Sequence, residues 1–266
     1  MILVVDAGNS ETTIGICDGL TVVERWRVTT DSSRTPDEMY ILLRALLDSA
    51  KHEYRVHGAA IGSVVPSSTA ALSDACQRIA GARPLVVDAK SVLPIRLEVD
   101  EPRTVGADRV INTLAASQLH HCDCIVVDMG TATTFDCITA DGAFIGGVIA
   151  PGVQIAGESL FKRTSMLAAT ELIAPELVIG TRTSECIRAG VVLGAADMID
   201  GIVRRIKREW PKRTKPVVIA TGGLAPRFMA LCTELDRIEP DLTLVGLAIA
   251  HKLLAQPAKR PKKSCK

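Results

Sequence analysis

The chain has 266 residues, 47% of them hydrophobic and only 3% aromatic, enough for two α/β domains with cores of Val, Ile, Leu and Ala and too apolar for a disordered or fibrous chain. Its 31 basic residues against 30 acidic ones leave no overall field to draw in nucleic acid or an anionic membrane, so any anion must be bound locally. No apolar run reaches the length of a bilayer span, and Met1-Ile2-Leu3-Val4-Val5-Asp6 carries neither a basic leader nor a small-residue cleavage site, so a cytoplasmic protein is expected.

The chain opens with a strand-like run, Ile2 to Asp6, leading into Val4-Val5-Asp6-Ala7-Gly8-Asn9-Ser10. A carboxylate at the end of a buried strand can hold a hydrated Mg²⁺. The glycine lets main-chain N–H groups approach phosphate oxygens, and hydroxyls add donors. Strands are predicted over Thr12 to Cys17 and Thr21 to Val28, joined through Asp18-Gly19, a dipeptide suited to a tight hairpin. Thr35-Pro36-Asp37-Glu38 then reads as a helix start, with Thr35 as cap, Pro36 in the first turn and Glu38 closing a capping box; this helix is expected to reach about Ser49. A strand from Gly58 to Val64, a helix capped by Ser67 and a strand from Pro84 to Val87 complete a first α/β unit.

Between the halves lies Glu101-Pro102-Arg103-Thr104-Val105-Gly106-Ala107-Asp108-Arg109-Val110-Ile111-Asn112, a turn running into a helix from Asp108 to His120. In phosphoryl transfer an aspartate can orient or deprotonate the attacking hydroxyl, and an arginine can grip a carboxylate or phosphate with paired donors. The same residues also suit an ordinary helix start, with Asp108 complementing the helix dipole and Arg109 pairing in solvent. His120-His121-Cys122-Asp123-Cys124 gathers metal-type ligands into one short run. Adjacent side chains diverge, however, and no second cluster closes a tetrahedral site, so the run reads as a helix end entering the strand Cys124 to Asp128. The eight cysteines lack Cys-x-x-Cys spacing and fit reduced core thiols.

The opening phrase then recurs as Val126-Val127-Asp128-Met129-Gly130-Thr131-Ala132-Thr133-Thr134, again followed by a hairpin dipeptide, Asp141-Gly142, and a further strand. A lone Asp-x-Gly is a common turn; its recurrence with the same downstream order points to a duplicated phosphate grip. Strands through Ile149 lead to Gly146-Gly147-Val148-Ile149-Ala150-Pro151-Gly152, read as strand, turn and helix start. A long helix from about Thr183 to Glu209 is compatible with a subunit interface and equally with a core position. A strand from Val217 to Ala220, the turn Thr221-Gly222-Gly223 and a helix near Leu244 to Leu254 follow. Two matched units are expected, residues 1–116 and 117–255, with both turns facing one nucleotide across a shared cleft. Residues 256–266 read as a disordered basic tail.

Together, Asp6-Ala7-Gly8-Asn9-Ser10, Val105-Gly106-Ala107-Asp108-Arg109 with Asn112, Asp128-Met129-Gly130-Thr131-Ala132-Thr133-Thr134, Thr221-Gly222-Gly223 and Asp241-Leu242-Thr243-Leu244-Val245-Gly246-Leu247 resemble the type III pantothenate kinases over nearly the whole chain. The resemblance implies an α/β fold of two duplicated ribonuclease-H-like domains of the actin-like ATPase group, with mixed sheets and a nucleotide cleft between them. It also implies ATP-dependent phosphorylation of pantothenate to 4′-phosphopantothenate, the first step toward coenzyme A. In that scheme Asp6, Ala7, Gly8, Asn9, Ser10, Glu11, Thr12 and Thr13 hold the ATP phosphates with Mg²⁺, and Thr131 also contacts ATP. Gly106, Ala107, Asp108 and Arg109 contact pantothenate, and Asp108 accepts the proton. Asp128 binds a monovalent cation, potassium or ammonium, and Thr183 reaches substrate across a homodimer interface.

Some members of that family carry lysine where Thr13 stands, so here charge neutralisation falls more heavily on the main chain and Mg²⁺. Many have tyrosine where this chain has Val99. These departures leave room for an alternative, a catalytically inactive nucleotide-binding accessory protein of the same fold.

Overall fold

The computed structural model describes residues 1–255 except Lys51, Ser165, Met166, Ala168, Lys212 and Arg213, so the expected basic tail lies outside the described residues. Strands β1 (Ile2–Ala7), β2 (Glu11–Asp18) and β3 (Thr21–Thr29), helix α1 (Pro36–Asp48), β4 (Gly58–Ser63), helix α2 (Pro66–Ala80) and β5 (Leu85–Val87) come first. They build a sheet in the order β3-β2-β1-β4-β5, with β1 antiparallel to β2 and parallel to β4. After β6 (Arg96–Leu97) and helix α3 (Ala107–His120) the plan repeats with β7 (Cys124–Met129), β8 (Ala132–Ile138), β9 (Ala143–Pro151) and helix α4 (Val153–Arg163). Helices α5 (Thr183–Arg188) and α6 (Gly194–Glu209), strand β10 (Val217–Thr221), helix α7 (Ala225–Phe228), strand β11 (Arg237–Ile238) and helix α8 (Leu242–Leu254) complete the described chain. The second sheet runs β11-β10-β7-β8-β9-β6, so five of its strands reproduce the first sheet in order and β6 is an added edge.

The duplication holds at the level of single residues. In both β1 and β7 the aspartate, Asp6 or Asp128, is the one position that is not buried. Asp6 pairs with Thr13 on β2 and Asp128 with Thr134 on β8. Three residues beyond each threonine, at Ile16/Cys17 and at Cys137/Ile138, a bulge shifts the register to the third strand, which adds twist at matching places. The hairpin glycines Gly19 and Gly142 take φ of +60° and +79°, as the Asp-Gly dipeptides predict.

Local signals set most helix ends. The Thr35 hydroxyl accepts the Glu38 N–H at 3.3 Å while the Glu38 carboxylate accepts the Thr35 N–H at 2.8 Å, the expected capping box. Helix α2 starts before the predicted Ser67 cap: Val65 holds the cap position, its N–H donating to Ser63 Oγ at 3.1 Å, and Pro66 opens the helix, because proline has the helical φ built in and no N–H to satisfy. The long helical stretch expected from Thr183 to Glu209 is present and contains a π-turn over Ala189–Leu193.

Helix α3 joins the two halves. Its Ala107, Ile111 and Leu114 pack with Ile2, Val4 and Ala60 of the first sheet, while Ala115 and Ala116 pack with Cys124, Val126 and Ile219 of the second. Helix α8 crosses in the same way: Leu242 belongs with the second sheet, and Leu244, Leu247 and Ala248 belong with the first. The start of α3, and Asp108 with it, is thereby held at the seam. Cys17, Cys76, Cys124, Cys137 and Cys232 are buried free thiols. Among the described residues no helix is long and apolar enough to cross a membrane.

Candidate active site

Each strand-terminal aspartate is followed by a tight turn whose glycine N–H closes back on the main chain. Gly8 donates to the Glu11 carbonyl and Gly130 to the Ala132 carbonyl, both at 3.0 Å. The first turn is one residue longer, and Gly8, Asn9, Ser10, Glu11 and Thr13 line one cleft together with Gly130, Thr131, Ala132 and Thr134 of the second. It is braced from behind by Thr30, whose hydroxyl donates to the Gly8 carbonyl at 2.7 Å and meets the Thr12 hydroxyl at 2.8 Å. Ala7 and Thr12, expected as ATP contacts, are buried behind the turn.

The cleft has a volume of about 380 Å³, within the range of small-ligand sites. Of the five described carboxylate residues that line it, Asp6, Asp108 and Asp128 come from β1, α3 and β7, with Glu11 and Asp241 beside them. Burial, then the charges of Asp108 and Asp128, push the Asp6 carboxyl up to about 8. Burial and Asp108 push Asp128 up to about 6, partly opposed by a hydrogen bond from Asn112. Burial raises Asp108 as well, partly opposed by the N–H and charge of Arg109. The common cause is negative charge crowded where water cannot screen it, an arrangement that calls for cations. Asn112 ties this site to α8: its Nδ2–H donates to Asp128 Oδ2 at 3.1 Å, and its Oδ1 accepts the Thr243 hydroxyl at 2.8 Å.

Arg109 turns toward the second sheet. Its Nε–H donates to Asp136 Oδ1 at 2.6 Å and its Nη2–H to the Phe135 carbonyl at 3.3 Å, with the guanidinium 5.0 Å from the centre of the Phe144 ring. Asp136 is fully buried, and burial pushes its carboxyl up to about 7 against the pull of Arg109. Its second oxygen, Oδ2, has no partner among the described residues. Gly147, paired with Asp136 across β8 and β9, leaves the room: a Cβ there would strike the Phe135 carbonyl and the Arg109 guanidinium. Sequence reasoning passed over Asp136, although a charged residue inside the apolar run Phe135-Asp136-Cys137-Ile138 was a signal of a buried ion pair.

On the opposite wall, the Thr221-Gly222-Gly223 turn lies against the second phosphate turn. Gly222 has φ +88°, and a Cβ on it would come within 2.5 Å of Asp128 Oδ1. Thr131, from the second turn, lines the cleft as expected. Gly106 is the residue preceding α3, Ala107 is buried, and neither they nor Arg109 belong to the cleft lining. Thr183 is exposed at the start of α5, outside that lining. The His120 to Cys124 run is committed elsewhere. His120 faces Glu239 at 3.7 Å, and Asp123 accepts the Ala140 N–H at 2.8 Å, the Trp210 Nε1–H at 3.1 Å and the Thr214 hydroxyl. The Cys124 thiol donates to the Cys122 carbonyl at 3.2 Å.

The model of the type III pantothenate kinase family matches residues 2–205. The type III pantothenate kinase of Cereibacter sphaeroides is 45% identical over 254 residues, covering 95% of this chain and 98% of its own. That of Acidothermus cellulolyticus is 44% identical over 250 residues, 94% of this chain and 97% of its own. Among solved structures, component A of the Acidaminococcus fermentans (R)-2-hydroxyglutaryl-CoA dehydratase superposes with a TM-score of 0.55 at 14% identity, over 96% of this chain and 99% of its own. The ethanolamine utilization protein EutJ of Carboxydothermus hydrogenoformans gives 0.56 at 16% identity, over 94% and 89%. At such identities the structural likeness concerns the fold alone.

Proposed function

The chain belongs to the type III pantothenate kinases, and from that membership we infer that its cleft phosphorylates pantothenate with ATP on the way to coenzyme A, with Asp108 receiving the proton of the attacking hydroxyl. The observation that carries this reading is the meeting of Asp6, Asp108 and Asp128 in one cleft between two duplicated phosphate turns. Nothing in the site favours the inactive alternative.

Phosphoryl transfer asks little covalent chemistry of a protein; it asks for positioning and charge neutralisation. The main-chain N–H groups and hydroxyls of residues 8–13, with Thr131, supply donors for the triphosphate. Asp6 fits a divalent cation, because Mg²⁺ takes one or two carboxylates and fills its remaining positions with water and phosphate oxygens. When bound, Mg²⁺ would neutralise phosphate charge. Asp128 is the residue we assign to a potassium or ammonium ion: it is tied to Asn112, and a site with three carboxylates and a triphosphate holds more negative charge than one Mg²⁺ offsets.

Burial moves the Asp108 carboxyl toward the proton-accepting range. In a loose transition state it aligns the hydroxyl and takes its proton late, so the full gap between an acid and an alcohol need not be bridged beforehand. Arg109, five donors with two engaged by Asp136 and the Phe135 carbonyl, is assigned to the pantothenate carboxylate. Thr183, exposed on α5, is assigned to the substrate of a second subunit in a homodimer, and the protein to the cytoplasm. An ADP-release assay with ATP and pantothenate, with and without potassium, tests the reading; no pantothenate-dependent ADP would overturn it.

A further inference from the structure

Strands β1, β2 and β3 set Asp6, Thr13 and Arg27 in one row, because Asp6 pairs with Thr13 and Thr13 with Arg27. Residues directly opposite one another in an antiparallel pair project from the same face, and all three line the cleft. Thr13 brings no charge to this row. Arg27 does, and its guanidinium reaches the opposite wall: Nη1 lies 2.8 Å from where a Cβ on Gly223 would stand. A solvated surface arginine needs no glycine facing it, whereas here Gly223 leaves the space the guanidinium occupies.

Its neighbour in the next row, Arg25, is already neutralised by Asp241 at 2.7 Å. Among the described residues the Arg27 guanidinium forms no ion pair or hydrogen bond. The equivalent row of the second half reads Asp128, Thr134, Ile149, so of the two matched rows only the first carries a cation, and the second half brings Arg227 to the cleft from α7 instead.

We propose that Arg27 is a phosphate-binding side chain of the nucleotide site, supplying from the third strand the positive charge that the first phosphate turn lacks at Thr13. This rests on the reading that the cleft holds ATP. A forked guanidinium with no carboxylate paired to it selects a ligand with several anionic oxygens, and a triphosphate is such a ligand. Arg27 then shares the neutralisation that was expected to fall more heavily on the main chain and Mg²⁺.

The test is equilibrium binding of ATP to the full chain in the absence of pantothenate, together with steady-state kinetics. Arg27→Ala should weaken ATP binding and raise the ATP KM by roughly 10- to 100-fold, the range of a lost charge-assisted contact, and leave the pantothenate KM nearly unchanged. Arg27→Lys should lose less, since a point charge remains without the fork. Adding Thr13→Lys to Arg27→Ala returns a cation to the same row and should restore most of the loss. Unaltered ATP binding by Arg27→Ala, or a loss that Thr13→Lys does not repair, would overturn the proposal. If the unmodified chain bound ATP with this dependence on Arg27 yet failed to phosphorylate pantothenate, the substrate assignment would fall and Arg27 would stand.

Discussion

Arg109 at the first turn of α3 donates its Nε–H to Asp136 in the middle of β8 at 2.6 Å, so the residue beside the proposed proton acceptor is clamped to the second sheet. A buried charge left without its partner is costly. Asp136→Ala should therefore destabilise the protein by about 3–5 kcal/mol in denaturant unfolding and raise the pantothenate KM, with Asp136→Asn milder on both counts. A KM unchanged in a folded Asp136→Asn variant would remove Asp136 from any part in orienting Arg109.

Asp108→Asn keeps the shape of the side chain and removes its ability to take a proton. Turnover should fall by about 10²- to 10⁴-fold, the usual contribution of a positioned base, while ATP binding measured by titration stays near that of the unmodified chain. Substantial remaining turnover would contradict the assignment.

The Asp6 carboxyl is raised from 3.8 to about 8 in the folded chain, so the folded state holds that proton more tightly than the unfolded one does. Its contribution to stability is complete below pH 3.8 and is lost as pH rises toward 8. The ligand-free protein should accordingly melt lower at pH 8 than at pH 5. Asp6→Asn, which cannot ionise, should flatten that slope and raise the melting temperature at pH 8 by at least about 2 °C, although turnover is lost. Part of the slope should remain, from the raised Asp128 and Asp136 carboxyls; a slope unchanged by the substitution would place its whole origin in those groups.

Gly222 has a left-handed φ of +88° and sits against Asp128. Gly222→Ala should cost about 1–2 kcal/mol in backbone strain alone, and should reduce activity more than stability by pushing on the Asp128 carboxylate. Full activity in the alanine variant would show that the turn yields freely.

If Asp128 holds potassium or ammonium, replacing either by sodium at equal ionic strength should lower kcat, and Asp128→Asn should make the rate indifferent to the choice. Equal rates with all three chlorides in the unmodified enzyme would count against the cation.

Much of the fold is legible in the order of residues, for a definite reason. Strand runs, the Asp18-Gly19 and Asp141-Gly142 hairpins and the Thr35 capping box depend on neighbours within a few residues. Recurrence of Val-Val-Asp-x-Gly pairs the two halves without any long-range contact having to be foreseen. The Ser67 cap failed because a proline one residue earlier outcompeted a side-chain hydroxyl, whereas the long helical stretch from Thr183 to Glu209 is present, with a π-turn inside it that the residue pattern did not signal.

Chain order alone thus determined two matched α/β halves, their acidic turns and an Asp-Arg pair opening the middle helix. Only the folded chain decided which partners those groups have. It sent Arg109 to Asp136, stood Arg27 opposite Thr13 and against Gly223, moved α8 onto the first sheet and left Thr183 outside its own cleft. Such choices are made by packing and by the desolvation of charge between segments far apart in sequence, which no local pattern of side chains encodes.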